Sequence, residues 1–115
     1  MNKRSEGSIK EDLACEYLKK QNVKILQRNF YSSHGEIDII GKDKDYLVFF
    51  EVKYRKTNAY GNPLEAVNYK KQRNIVNAAR FFLYKYKYPE NTFVRFDCIG
   101  ITDNDIRWFK NAFSC

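Results

Sequence analysis

Histidine is nearly absent: His34 is the only one in 115 residues. A Ser-His or Cys-His triad is hard to build from one imidazole, and an imidazole-rich metal site is disfavoured. Cysteine is scarce too. Cys15, Cys98 and Cys115 are widely spaced and odd in number, with no Cys-x-x-Cys pair. That argues against a zinc knuckle and fits a reducing compartment. No apolar run approaches the ~20 residues of a membrane span. The first residues, MNKRSEGSIKEDLA, lack the apolar stretch of a signal peptide. The expected location is the cytoplasm, with no membrane partner. Repeats, low-complexity tracts and interdomain linkers are missing as well. The expectation is a single domain over residues 1–115, large enough to fold without a disulfide or metal staple.

What is present is a basic, aromatic-rich globular mixture. Hydrophobic residues make up 43% and charged residues 30%, with nine Tyr, nine Phe and one Trp. Lys and Arg outnumber Asp and Glu by 21 to 14, a net charge of +7. Such an excess favours a polyanionic partner, nucleic acid first, through attraction and counterion release. The plainer alternative is solubility, or a Lys-rich bias from an AT-rich genome.

Hydrophobic periodicity predicts a helix over 5–21, its apolar face made of Ile9, Leu13, Tyr17, Ala14 and Leu18. Strands follow at 23–30, 35–42 and 46–55, separated by a loop at 31–35 and a turn at 42–45. So short a turn makes the second and third strands antiparallel neighbours. After a loop at 56–62, Pro63 is placed to begin a helix running from Leu64 to about Tyr86. Leu64, Val67, Ile75, Ala78, Ala79 and Phe82 form its inner face. Strands at 92–101 and 106–109, joined by the turn 102–105, complete the order α-β-β-β-α-β-β. This is an α/β domain with a mixed sheet flanked by helices.

The second and third strands carry acids where a core is wanted: GEIDII (35–40) and VFFEVKYR (48–55). With Asp43 opposite Tyr46, Asp38 faces Glu51 and Glu36 faces Lys53. All four then lie on one side, and Ile37, Ile39, Val48, Phe50 and Val52 cover the other. Two carboxylates facing each other across a ladder are ~5 Å apart and repel by about 3 kcal/mol. A raised pKa, a salt bridge to Lys53 or a bound cation would relieve that repulsion. The bland alternative is a structural ion-pair cluster at a sheet end. Four groups with a formal deficit of about two charges suit a divalent ion, and hard oxygen ligands suit Mg²⁺.

Asp38 followed by Glu51-Val52-Lys53 resembles the core motif of the PD-(D/E)XK, or restriction-endonuclease-like, nucleases. Further matches make the chain similar to the YraN-like family of predicted endonucleases, itself distantly similar to archaeal Holliday-junction resolvases. They are Gly7, Glu11, Ala14 and Tyr17-Leu18, then RNF (28–30) with GEIDII, and LVFFEVKYR (47–55). GNPLEAV (61–67), KQR (71–73), RFD (95–97) and NAF (111–113) extend the match over nearly the whole chain. The resemblance implies a restriction-endonuclease-like sheet. It implies Mg²⁺, replaceable by Mn²⁺, held by Asp38, Glu51 and Glu11, with the Val52 carbonyl as a further ligand. Lys53 would be the catalytic lysine, acting with Asp38 and Glu51. The proline of the superfamily name is missing, since Ile37 precedes Asp38. The implied reaction is hydrolysis of DNA phosphodiester bonds, in branched or structured DNA, with RNA the weaker substrate.

Glu11 has a second reading, because Ser8-x-x-Glu11 also fits a capping box. Glu36 fits a supporting acid or a partner for Lys53. Arg55, Lys56, Lys70, Lys71, Arg73 and Arg80 are candidates for gripping phosphates, or else a solvated helix face; of these Lys71 is best placed to reach the site. The aromatics of FFLYKYKYP (81–89) fit base stacking or, preferably, packing of the helix end or a dimer contact. Asp97 and Cys98 are expected to be structural. A resolvase cutting two strands symmetrically needs a two-fold homodimer. The rival class is a nucleic-acid-binding module that keeps a nuclease fold without turnover.

Overall fold

The computed structural model describes residues 6–55, 68–103 and 105–113. They form α1 (Glu6–Lys20), β1 (Lys24–Ser32), β2 (Gly35–Asp43), β3 (Tyr46–Tyr54), α2 (Tyr69–Lys85), β4 (Val94–Ile101) and β5 (Ile106–Phe113). The β2–β3 hairpin takes the register that alternation predicts, from Asp43 opposite Tyr46 to Ile39 opposite Phe50. Its two-residue tip places Lys44 at φ 55°, the left-handed geometry that tight hairpin turns require. The sheet order is β1-β2-β3-β4-β5. Only β3 and β4 run parallel, and α2 lies in the crossover that a parallel pair needs.

The sheet is buried on both faces. On one, Phe30, Ile37, Ile40, Leu47, Phe49 and Phe96 pack with Ile75, Ala78, Ala79 and Phe82 of α2. On the other, Ile39, Val48, Phe50, Ile99 and Ile101 pack with Ala14, Cys15 and Leu18 of α1. The inner face expected for α2 is therefore present over its described length. Of the aromatics around it, Tyr86 and Tyr88 have ring centroids 4.8 and 5.7 Å from that of Phe82, whereas Tyr84 is 81% exposed. Cys98 is a core residue, its thiol pushed up to about 12 by burial.

Four expectations need correction. Ile9 and Leu13 are 46% and 39% exposed. Ala14 and Leu18 of the expected face do meet the sheet, with Tyr17 packed beside them, but the stripe is completed by Cys15 and Glu11, because small side chains let the helix approach closely. The second helix does not run unbroken from Leu64. Asn68 is extended at φ −71°, ψ 169°, and its side chain accepts from the Lys71 N–H, so α2 starts at Tyr69. Pro63 and Leu64 fall outside the described residues. The last strand continues to Phe113, which pairs with Phe96. Finally, Ile37 packs on the α2 side and Ile39 on the α1 side, so they do not share a face.

Gly35 marks a close approach of α2 to the start of β2. A Cβ there would lie 3.2 Å from the Asn74 Cβ, at a φ of 156°. Gly35→Ala is expected to destabilise the fold by about 1–2 kcal/mol, read as a lower urea midpoint.

Candidate active site

The loss of alternation between Ile37 and Ile39 isolates Asp38. On the β1 side, Arg28 pairs with Ile39 and Phe30 with Ile37. Between them Asn29 takes φ 52°, a conformation that asparagine tolerates better than most residues. On the β3 side the ladder ends at Ile39–Phe50. There the Val52 N–H donates to Asp38 Oδ2 at 2.8 Å. A side-chain carboxylate thus replaces a backbone acceptor, which ties Asp38 to the middle of Glu51-Val52-Lys53.

Three carboxylates converge at this break. Glu11 from α1 and Glu36 and Asp38 from β2 bring ligand oxygens within 4.8 Å of one another. Glu11 arrives because it belongs to the buried stripe of α1. The capping-box alternative does not hold, since Ser8 lies inside α1. One carboxylate oxygen of Glu11, Oε1, is buried without a hydrogen-bond donor. The Arg28 guanidinium stands 3.7 Å from it and binds Asp12 more closely, at 2.7 Å. Burial raises the Glu11 pKa, against the pull of Asn29 and Arg28. Burial, and then the charge of Glu51, push the Asp38 carboxyl up to about 8, despite the hydrogen bond from Val52.

Glu51 is held differently. Its side chain is 4% exposed, and Oε1 lies 3.7 Å from Lys53 Nζ and 3.3 Å from Lys71 Nζ. Burial opposes the charge on Lys71, but the combined pull of Glu51, Asp38 and Glu36 outweighs it and raises that lysine's pKa. Around the break, Glu11, Glu36, Asp38 and Glu51 gather with Lys53 and Lys71 at Glu51, Arg28 beside Glu11, and Lys10 in the lining of the same cleft. The convergence of three carboxylates, with the neighbouring Arg28 bound more closely to Asp12, and the orphaned Glu11 oxygen fit a hard divalent cation. An open cleft of about 410 Å³ gives access, lined by Lys10, Glu11, Asp38, Glu51, Val52, Lys53 and Lys71 among others.

The chain uses the same device a second time with a different outcome. At the β4–β5 bulge, Asp97 accepts from the Asn111 N–H at 2.8 Å. It also accepts from Trp108 Nε1 at 2.8 Å and from Arg95 at 2.9–3.1 Å. Asp97 is neutralised and fully buried, hence structural as expected. Asp38 has no arginine and faces other acids across a cleft. That contrast separates a carboxylate neutralised within the fold from one that is not.

The basic candidates divide. Lys71 enters the cleft. Lys70 and Arg73 line a separate hollow with Tyr69, Asn74 and Asn77. Arg55 and Arg80 are exposed, and the Arg55 guanidinium turns back to the Tyr54 carbonyl at 3.2 Å. Lys56 lies outside the described residues. Arg28, Asn29 and Lys10 were not legible as site residues. Only the RNF triplet hinted at the first two, since an asparagine inside a strand suggests a left-handed residue.

Comparison with known proteins gives one consistent result. The model of "Uncharacterised protein family UPF0102" matches residues 10–101. A UPF0102 protein of Lachnoclostridium phytofermentans is 46% identical over 98% of this chain and 96% of its own length. Others from Photobacterium profundum and Persephonella marina are 43% and 44% identical, each over 92% of its own length.

Proposed function

Since this chain belongs to the protein family UPF0102, whose description names no reaction, we propose from the cleft that it is a divalent-metal-dependent endonuclease of the PD-(D/E)XK kind, hydrolysing DNA. One observation carries the reading: Asp38 is bonded to Val52 inside Glu51-Val52-Lys53, beside the converging oxygens of Glu11 and Glu36. Glu11, Glu36 and Asp38 would hold Mg²⁺ or Mn²⁺, and Glu51 and the Val52 carbonyl would complete the donor set. The cation, when bound, is a Lewis acid that polarises the phosphodiester and acidifies water. Lys53, kept beside Glu51, positions the attacking water and offsets charge developing on the phosphoryl oxygens. The Val52 N–H keeps Asp38 aimed into the cleft. The net charge of +7 draws in the polyanion through contacts with its backbone, which carry no sequence information.

The test is a cleavage screen over linear, nicked, flapped and four-way DNA with Mg²⁺ or Mn²⁺. Lys53→Ala is expected to lose at least about 10²-fold in kcat while still binding DNA. Equal cleavage by both proteins would mean a contaminant. Salt-sensitive binding without cleavage on every substrate would leave a non-catalytic DNA-binding module. For symmetric cutting of branched DNA the assembly is a two-fold homodimer, and sedimentation on four-way DNA is its check. No helix among the described residues is long and apolar enough to cross a membrane.

A further inference from the structure

Glu51 carries one charge and is met by two lysines on a single oxygen, Oε1. Lys53 belongs to its own strand and arrives two residues on. Lys71 comes from a different element and makes the shorter approach, 3.3 Å against 3.7 Å. Its main chain is fixed. The Lys71 N–H is bound by the Asn68 cap at 2.8 Å, and α2 is seated through Ile75, Ala78, Ala79 and Phe82. Asn74 approaches Gly35 so closely that a Cβ there would lie 3.2 Å from its own Cβ, which sets that turn of the helix against the start of β2. The side chain is free to move: it is 44% exposed, whereas Glu51 is 4% exposed. Lys70 and Arg73, its neighbours on α2, line a different hollow. Among the described residues of α2, Lys71 alone lines the acidic cleft.

We propose that Lys71 is an exchangeable counter-cation. It neutralises Glu51 in the metal-free protein, is displaced when a divalent ion engages that carboxylate, and then binds the phosphate being cleaved. The inference rests on the nuclease reading above, and it assigns Lys71 a task distinct from general gripping of the DNA backbone. A gripping lysine has no reason to be paired with a buried carboxylate before DNA arrives. An exchangeable one keeps the cleft closer to neutral until metal enters, and delivers a positive charge within the cleft once it has. Lysine suits this role, being a compact point charge on a flexible stem.

The test is titration calorimetry with Mn²⁺ and no DNA, on wild type, Lys71→Met and Lys71→Gln, with Lys85→Met at the far end of α2 as control. Removing a competing cation at this distance is expected to tighten Mn²⁺ binding about tenfold in both variants. The control should be unchanged. At saturating Mn²⁺ the same variants should lose about 10²-fold in kcat with little change in KM, and Lys71→Arg should recover part of it. Thermal melts establish that each variant folds. Unchanged or weakened Mn²⁺ affinity in both variants overturns the exchange and leaves the nuclease reading intact. A loss in KM alone also overturns it, because that is the signature of backbone gripping. Tighter Mn²⁺ binding by variants of a protein that cuts no DNA would uphold the counter-cation and remove the nuclease reading. No Mn²⁺ uptake by wild type would remove both.

Discussion

Asp38→Asn is expected to stabilise the metal-free protein at pH 8.5 while abolishing cleavage and weakening divalent-cation uptake. Asp38 is largely buried, and burial first, then Glu51, raises its carboxyl to about 8. In the unfolded chain an aspartate titrates near 3.9. Between those values the folded state holds the proton more tightly, so stability falls as pH rises. The contribution is fully present below about pH 4 and is gone above about pH 8. Asparagine removes the titration yet still accepts from the Val52 N–H, and its amide can donate to a neighbouring carboxylate. A gain on the order of 2 kcal/mol at pH 8.5, shrinking toward zero at pH 4, is the expected size. Urea melts of both proteins at pH 4.5, 6.5 and 8.5, without and with Mn²⁺, would measure it. Mn²⁺ should flatten the wild-type pH dependence by supplying the missing charge. A variant less stable than wild type at pH 8.5 would mean that Asp38 is a structural acid.

The opposite sign is expected at Asp97. Its carboxylate has 0% exposure and is met by Arg95, Trp108 and the Asn111 N–H. Arg95 in turn binds Asp43 at 2.7 Å, and their mutual pull lowers the Asp43 pKa against the opposing effect of burial. Asp97→Ala strands an indole N–H, a backbone N–H and much of a buried guanidinium. A cost of about 3–5 kcal/mol follows, against a typical total of roughly 5–15 kcal/mol for a domain. Arg95→Ala should cost a similar amount, because it leaves a buried carboxylate without its counterion. The double variant should cost less than the two losses added, since each alone already breaks the network. A urea series on the three variants decides it. Asp97→Asn is a further comparison: stabilisation there equal to that of Asp38→Asn would erase the distinction between the two ladder breaks.

Much of the frame was legible because it depends on local rules. Two-residue alternation and a two-residue turn set the β2–β3 register, and helical spacing identified Ile75, Ala78, Ala79 and Phe82. The α1 stripe was misjudged because Ile9 and Leu13 are large, whereas the sheet accepts the side where Ala14 and Cys15 allow close contact. Ile37 was misplaced because alternation assumes an unbroken ladder. Asn29 breaks it on one side, and the Val52–Asp38 bond replaces it on the other.

The amino-acid order alone determined that Asp38, Glu51 and Lys53 would come together at one end of a hairpin, since pleating and a tight turn act over a few residues. Glu11 and Lys71 were candidates from the sequence, but only the tertiary structure decided that they reach the same cleft. Glu11 and Lys71 arrive on two helices packed against the sheet, at angles set by small residues in one and by an asparagine cap and Gly35 in the other. Whether an acid is neutralised, like Asp97, or not, like Asp38, depends on charges distant in sequence, because electrostatic energy follows separation in space.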